Sequence, residues 1–112
     1  MAASVPRMAK LTFILSARAR PGRRDAVRAP RDRHLRPRAE EDPSQELYLF
    51  CYDESDADAF HLVEAYSDDA AARRNATAPW FAEYMREAEP LLPGRPSLLR
   101  ARPVWTKGVA LG

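Results

Sequence analysis

Three side chains have the chemistry to move or hold a proton on a small substrate: His61 and Glu64 on one β-prone segment, and Tyr84 on a later helical one. His61 has an imidazole, the side chain suited to acid–base work near neutral pH, or else serves as a hydrogen-bonded strand residue. Glu64 is a competent general base if burial raises its proton affinity; the alternative is an ion pair with Arg100 or Arg102 near the C-terminus. Tyr84 can hydrogen-bond a phenolic substrate or fill a core. His34, near the surface of a thin helix, takes no role. With one cysteine, Cys51, and no metal-ligand spacing between the two histidines, neither an internal disulfide nor a metal site is expected.

The elements that must position these groups follow from periodicity. Leu11, Phe13, Leu15 and Ala17 share one face at period two, so residues 10–19 read as a first strand. Arg20-Pro21-Gly22 turns the chain. From Arg23 to about Ala39 a thin helical stripe runs through Val27, Arg31 and Leu35, and the prolines at 30 and 37 predict a kink or two short helices. Residues 47–52 read as a strand apolar on both faces. Asp53-Glu54-Ser55-Asp56 then turns into a second run, residues 60–66, to make an antiparallel hairpin. In that run His61 falls on the face opposite Phe60, Leu62, Glu64 and Tyr66.

Ser67 is placed to cap a short helix running to about Asn75, with Asp68 and Asp69 in its first turn. Thr77 and Pro79 open the best amphipathic helix, striped by Phe81, Tyr84, Met85, Ala88, Leu91 and Leu92, and Pro93-Gly94 stops it. Ser97 to Trp105 supplies a final strand. The order β-α-β-β-α-β predicts an α+β, ferredoxin-like domain, four antiparallel strands with helices on one side. The other sheet face should expose members of the pairs Phe13/Leu15, Tyr48/Phe50 and Phe60/Leu62. A second copy of the chain, closing two sheets into a dimeric α/β barrel, is the simplest cover.

At 112 residues and 12.7 kDa the chain suits one domain. We expect residues 1–9 as an N-terminal extension, 10–105 as the domain and 106–112 as a tail; Met8 is an alternative start. Hydrophobic residues at 46% and charged residues at 30% fit a globular fold rather than a disordered one. No apolar run approaches the roughly 20 residues of a membrane span. Residues 1–9 lack the apolar stretch of a secretory signal, so a cytoplasmic protein is expected. Nine arginines fall between Arg18 and Arg38 and eleven acids between Glu40 and Asp69. The basic block contains Asp25 and Asp32, and no aromatic lies between Phe13 and Tyr48 to stack on bases, which argues against nucleic-acid binding.

Two stretches carry a resemblance: Phe60-His61-Leu62-Val63-Glu64-Ala65-Tyr66-Ser67-Asp68-Asp69-Ala70-Ala71, and Ala78-Pro79-Trp80-Phe81. In order and spacing, residues 10–105 resemble the antibiotic biosynthesis monooxygenase family of dimeric α/β barrels. Glu64-x-Tyr66 before an alanine-rich helix and Pro79-x-Phe81 opening the next are the most telling motifs. In this family the anthrone oxygenases of aromatic polyketide pathways carry an Asn and, four or five residues on, a Trp at the pocket edge. Asn75 and Trp80 stand at the matching places. Quinol oxygenases of the family typically carry His at both positions. The haem-degrading branch uses an Asn, a Trp and a haem-ligating His where Leu15, Asn75 and Met85 stand here, so haem is not expected by that route. The resemblance thus implies Asn75 and Trp80 as catalytic residues and Phe13, Leu15, His61, Tyr66, Phe81 and Tyr84 as substrate-binding ones.

The implied chemistry needs no added cofactor. An anthrone has an acidic methylene beside a conjugated carbonyl, and its carbanion can pass an electron to O2 directly. The carboxamide of Asn75 can donate to the developing oxyanion, as can the indole N–H of Trp80 while its ring packs on a flat substrate. A helix C-cap for Asn75 and a core or interface anchor for Trp80 are the plainer alternatives. The expectation is a homodimer that oxygenates a small planar aromatic, anthrone- or hydroquinone-like, with O2. A polyketide cyclase or isomerase of the same fold, or a non-catalytic ligand-binding module, are the other readings.

Overall fold

The computed structural model describes residues 10–107; the expected N-terminal extension and residues 108–112 of the expected tail lie outside the described residues. Four strands, β1 (Leu11–Arg18), β2 (Gln45–Tyr52), β3 (Ala59–Tyr66) and β4 (Ser97–Ala101), form one antiparallel sheet in the order β2-β3-β1-β4. Helices α1 (Arg24–Pro30), α2 (Arg36–Glu41), α3 (Asp69–Ala76) and α4 (Pro79–Ala88) pack on one face, which makes the domain ferredoxin-like. No helix among the described residues is long and apolar enough to cross a membrane.

The proline-interrupted helix takes a form that its sequence only partly predicts. Pro30 ends α1, and a single π-helical turn, Arg31–Leu35, leads without a break in the chain into α2. The amide of Arg36 donates to the carbonyl of Arg31, five residues back, so the wide turn absorbs what prolines without N–H groups would otherwise break. The stripe of Val27, Arg31 and Leu35 is buried along this whole unit.

Two further boundaries differ from expectation. Asp68, not Ser67, caps α3: its carboxylate accepts the Ala71 amide at 2.8 Å. Ser67 still belongs to the strand side, its own amide donating to the Ser44 carbonyl at 2.8 Å. The last strand stops at Ala101 rather than Trp105. Pro103 has no amide to extend the ladder, and Arg102 bends back to the carbonyl of Lys10 and to Asp69.

The assignment of sheet faces needs the larger correction. Phe13, Leu15, Tyr48, Phe60 and Leu62 all turn toward the helices, so they do not form the uncovered face. Phe50 joins them, packing against the core of Phe60 and Val27. The outer face instead carries Leu49, Val63, Ile14 and Leu99, which pair in register as one row across all four strands. Leu49, Ile14 and Leu99 are 50%, 38% and 59% exposed. Strands apolar on both faces fit the helices either way by pattern alone.

Candidate functional site

Helices and sheet enclose a cavity of about 190 Å³ near the middle of β3, compact beside the roughly 300–1,000 Å³ of drug-sized ligand sites. Of the residues expected there, Phe13, Leu15, Tyr66, Asn75, Phe81 and Tyr84 line it. Phe13 and Tyr66 meet edge to face with ring centres 6.0 Å apart, and Phe81 and Tyr84 sit 6.2 Å apart on α4. These rings give a flat ligand apolar walls.

A chain of hydrogen bonds runs along one side. The indole N–H of Trp80 donates to Asn75 Oδ1 at 3.2 Å, and Asn75 Nδ2 donates to the Tyr66 hydroxyl at 2.6 Å. Tyr66 donates in turn to Glu64 Oε2 at 2.8 Å, and Gln45 Nε2 reaches the same oxygen at 2.6 Å. Because an indole nitrogen can only donate, it fixes which end of the Asn75 amide is oxygen. Both bonds to Glu64 fall on Oε2; Oε1 receives none among the described residues. Burial pushes the Glu64 carboxyl above its ordinary range, and the bonds from Tyr66 and Gln45 and the charge of Arg31 offset this only in part. The Tyr66 phenol is raised too, first by burial and then by the carboxylate beside it.

Two of the expected site residues do not reach the cavity. Trp80 packs against the cluster that Leu35, Tyr84 and Ala88 form, with the Arg38 guanidinium 4.7 Å from its ring, and its polar contact with the site passes through Asn75. His61 points to the outer face, as its place in the alternation requires, which corrects its assignment as a substrate-binding residue. There Ser16 Oγ lies 2.9 Å from its Nδ1 and Asp53 Oδ2 lies 2.7 Å from its Nε2. His34, given no role, hydrogen-bonds Glu87 at the surface. Asp53 is held down to about 2 by that outer-face histidine, His61, and by the amides of Asp56 and Ser55.

The expected pairing of Glu64 with Arg100 or Arg102 does not form. Strand β1 separates β3 from β4, so Arg100 stands opposite Phe13, 5.5 Å over its ring, and both arginines turn to Asp69. Sequence reasoning missed three residues of the site: Gln45, Tyr48 and Arg31. Arg31 is buried, donating from Nη1 to the Tyr48 hydroxyl at 2.7 Å and from Nη2 to the Tyr84 hydroxyl at 2.9 Å. Its place between Val27 and Leu35 on a buried stripe was the available signal. Among the described residues no group of three or more His, Cys, Asp or Glu is placed to hold a metal ion.

Solved structures share this architecture. The chain is similar to a protein of Caulobacter crescentus named as a candidate antibiotic biosynthesis monooxygenase, with TM-score 0.81 and 11% identity over 88% of this chain and 93% of that one. A Chloroflexus aurantiacus protein of the same designation gives 0.76 and 24% over 91% and 100%. One from Nitrosomonas europaea, also so designated, gives 0.79 and 14% over 89% and 95%. The sequence matches no protein-family model and no curated protein. At these identities the likeness establishes the fold, a ferredoxin-like α+β domain shared with structures that carry the antibiotic biosynthesis monooxygenase name.

Proposed function

We propose that this chain is a cofactor-independent monooxygenase that oxidises a small planar aromatic substrate, anthrone- or hydroquinone-like, with O2. The observation that carries the reading is a carboxylate with raised proton affinity, Glu64, set in an aromatic-lined cavity beside an oriented carboxamide, Asn75. A general base works best when its pKa approaches the working pH, and burial moves Glu64 in that direction. Oε1 is its unengaged oxygen and takes the acidic C–H proton.

The negative charge then spreads onto the substrate's carbonyl oxygen, where the Asn75 amide hydrogen not engaged by Tyr66 stabilises it. The carbanion passes one electron to O2, and the resulting radical pair combines into a peroxide. For a methylene carbon the peroxide takes up a proton and then loses water to leave a ketone. The methylene gives up both hydrogens and keeps one atom of O2, and the other oxygen atom departs in the water. Trp80 acts as a positioning residue, holding the amide oxygen of Asn75 so that its nitrogen faces inward.

The assembly belongs to the same reading. The row Leu49, Val63, Ile14 and Leu99 gives a two-fold copy of the chain an identical apolar strip to pack on, forming a homodimer sheet against sheet. The reaction is tested by oxygen uptake from a panel of anthrones and hydroquinones after treatment with a chelator. Uptake that Glu64→Gln abolishes supports the reading; no uptake with any member sinks it. The same carboxylate would also serve a cyclase or isomerase that only moves protons, and product formed without O2 would select that alternative.

A further inference from the structure

The cavity contains a charge that the oxygenase chemistry does not use. Arg31 is 5% exposed, and none of the ion pairs among the described residues includes it. Its Nε is buried without a hydrogen-bond partner. The hydroxyls of Tyr48 and Tyr84 accept from its two terminal nitrogens, so each must direct its own proton elsewhere, and neither donates to another described residue. Cation–π contacts with the Tyr84 and Phe50 rings, 4.8 and 5.2 Å from the guanidinium carbon, offset part of the desolvation. They supply no counter-charge. A buried guanidinium with no ion-pair partner is strongly unfavourable; Glu64, whose carboxyl feels its charge, makes no ion pair with it, and all three donor-bearing side chains line the cavity.

We infer that the cavity takes an anionic ligand, a planar aromatic carrying one carboxylate, whose oxygens accept from Arg31 and from the hydroxyls of Tyr48 and Tyr84. The planar guanidinium matches a planar carboxylate better than a sphere of charge. One buried cation calls for one negative charge, and Glu64 nearby disfavours a doubly charged phosphate. The ring of the ligand lies toward Phe13 and Phe81, which brings its reacting carbon to the Glu64 and Asn75 side. This inference rests on the reading of the cavity as the substrate site and adds the class of substrate it selects.

The test measures binding, not turnover, on the full chain. 2-Naphthoate and its uncharged isostere 2-naphthamide are titrated by fluorescence and calorimetry at pH 8. The carboxylate is expected to bind at least tenfold tighter, a preference of about 1.4 kcal/mol. In Arg31→Met the preference should fall below twofold while the melting curve stays cooperative. The double variant Tyr48→Phe, Tyr84→Phe keeps the cation and should lose part of the preference, so it decides the matter if Arg31→Met does not fold. Equal binding of the two probes, binding of neither, or a preference undiminished in the variants overturns the inference. Oxygen uptake from neutral anthrones with no preference for acids would overturn it while leaving the oxygenase reading intact. Selective carboxylate binding without any oxygen uptake would do the reverse.

Discussion

Trp80 donates its indole N–H to the side-chain oxygen of Asn75 across 3.2 Å, linking the start of α4 to the end of α3. Replacing the indole by a phenyl ring keeps the packing against Leu35 and Tyr84 but frees the amide to rotate. Trp80→Phe should lower kcat about tenfold, the rate equivalent of one hydrogen bond of roughly 1.4 kcal/mol, with KM little changed because the ring does not line the cavity. Asn75→Ala should cost more, on the order of 10²–10³ in kcat, as for the loss of one oxyanion donor. Steady-state kinetics on both variants check this; a Trp80→Phe enzyme altered in KM alone would contradict the positioning role.

Glu64 affects rate and stability with opposite dependence on pH. Turnover should rise with pH as the carboxyl ionises, along a limb above the ordinary carboxylate range, and Glu64→Gln should lower it by roughly 10²–10⁴. For stability, the folded-state value lies above the unfolded one of about 4.5. The folded chain therefore holds the proton longer, and this residue's contribution, full below about 4.5, is lost as pH rises through the raised folded value. Chemical denaturation from about pH 4 to 8 should show that Glu64→Gln removes this loss, leaving the variant at least as stable as the parent at pH 8.

Asp53 gives the opposite sign on the outer face. Its carboxyl is depressed to about 2 with His61 as the leading cause. Its contribution is present above its unfolded value of 3.8 and is lost as pH falls through about 2. His61→Ala should therefore move the midpoint of acid unfolding, followed by circular dichroism, to higher pH. Because His61 is outside the cavity, kcat/KM should stay within about twofold of the parent, less than a ~1 kcal/mol effect.

The apolar row on the outer face has a consequence for mass. The parent chain should behave in sedimentation equilibrium as a species of twice 12.7 kDa. Ile14→Lys places a charge in the middle of the row and should shift it to a single chain. A parent that sediments as one chain at high concentration would remove the proposed dimer.

Much of the architecture was readable from local rules. Alternation in β1, the acidic turn after Tyr52, Pro79 at the head of α4 and Pro93-Gly94 beyond it each answer to backbone chemistry within a few residues. The face of β2 that meets the helices was not, because apolar residues occupy both of its sides. The environment of Glu64 was hidden for another reason: which strand lies beside β3 is a matter of topology, and β1 intervenes between it and the arginines of β4. Arg31 shows the limit most clearly. Its spacing with Val27 and Leu35 is visible in the sequence, but its meaning depends on Tyr48 and Tyr84, brought from 17 and 53 residues away.

The π-helical turn at Arg31–Leu35 gives the length of this helix a functional value. Deleting one residue from it would restore ordinary winding and rotate everything on one side by about 100° relative to the other. Either the guanidinium or Leu35 would then leave the interior. A one-residue surplus in the backbone thus keeps a lone cation and its greasy neighbour facing inward together, and tolerance to insertion or deletion should be lowest there.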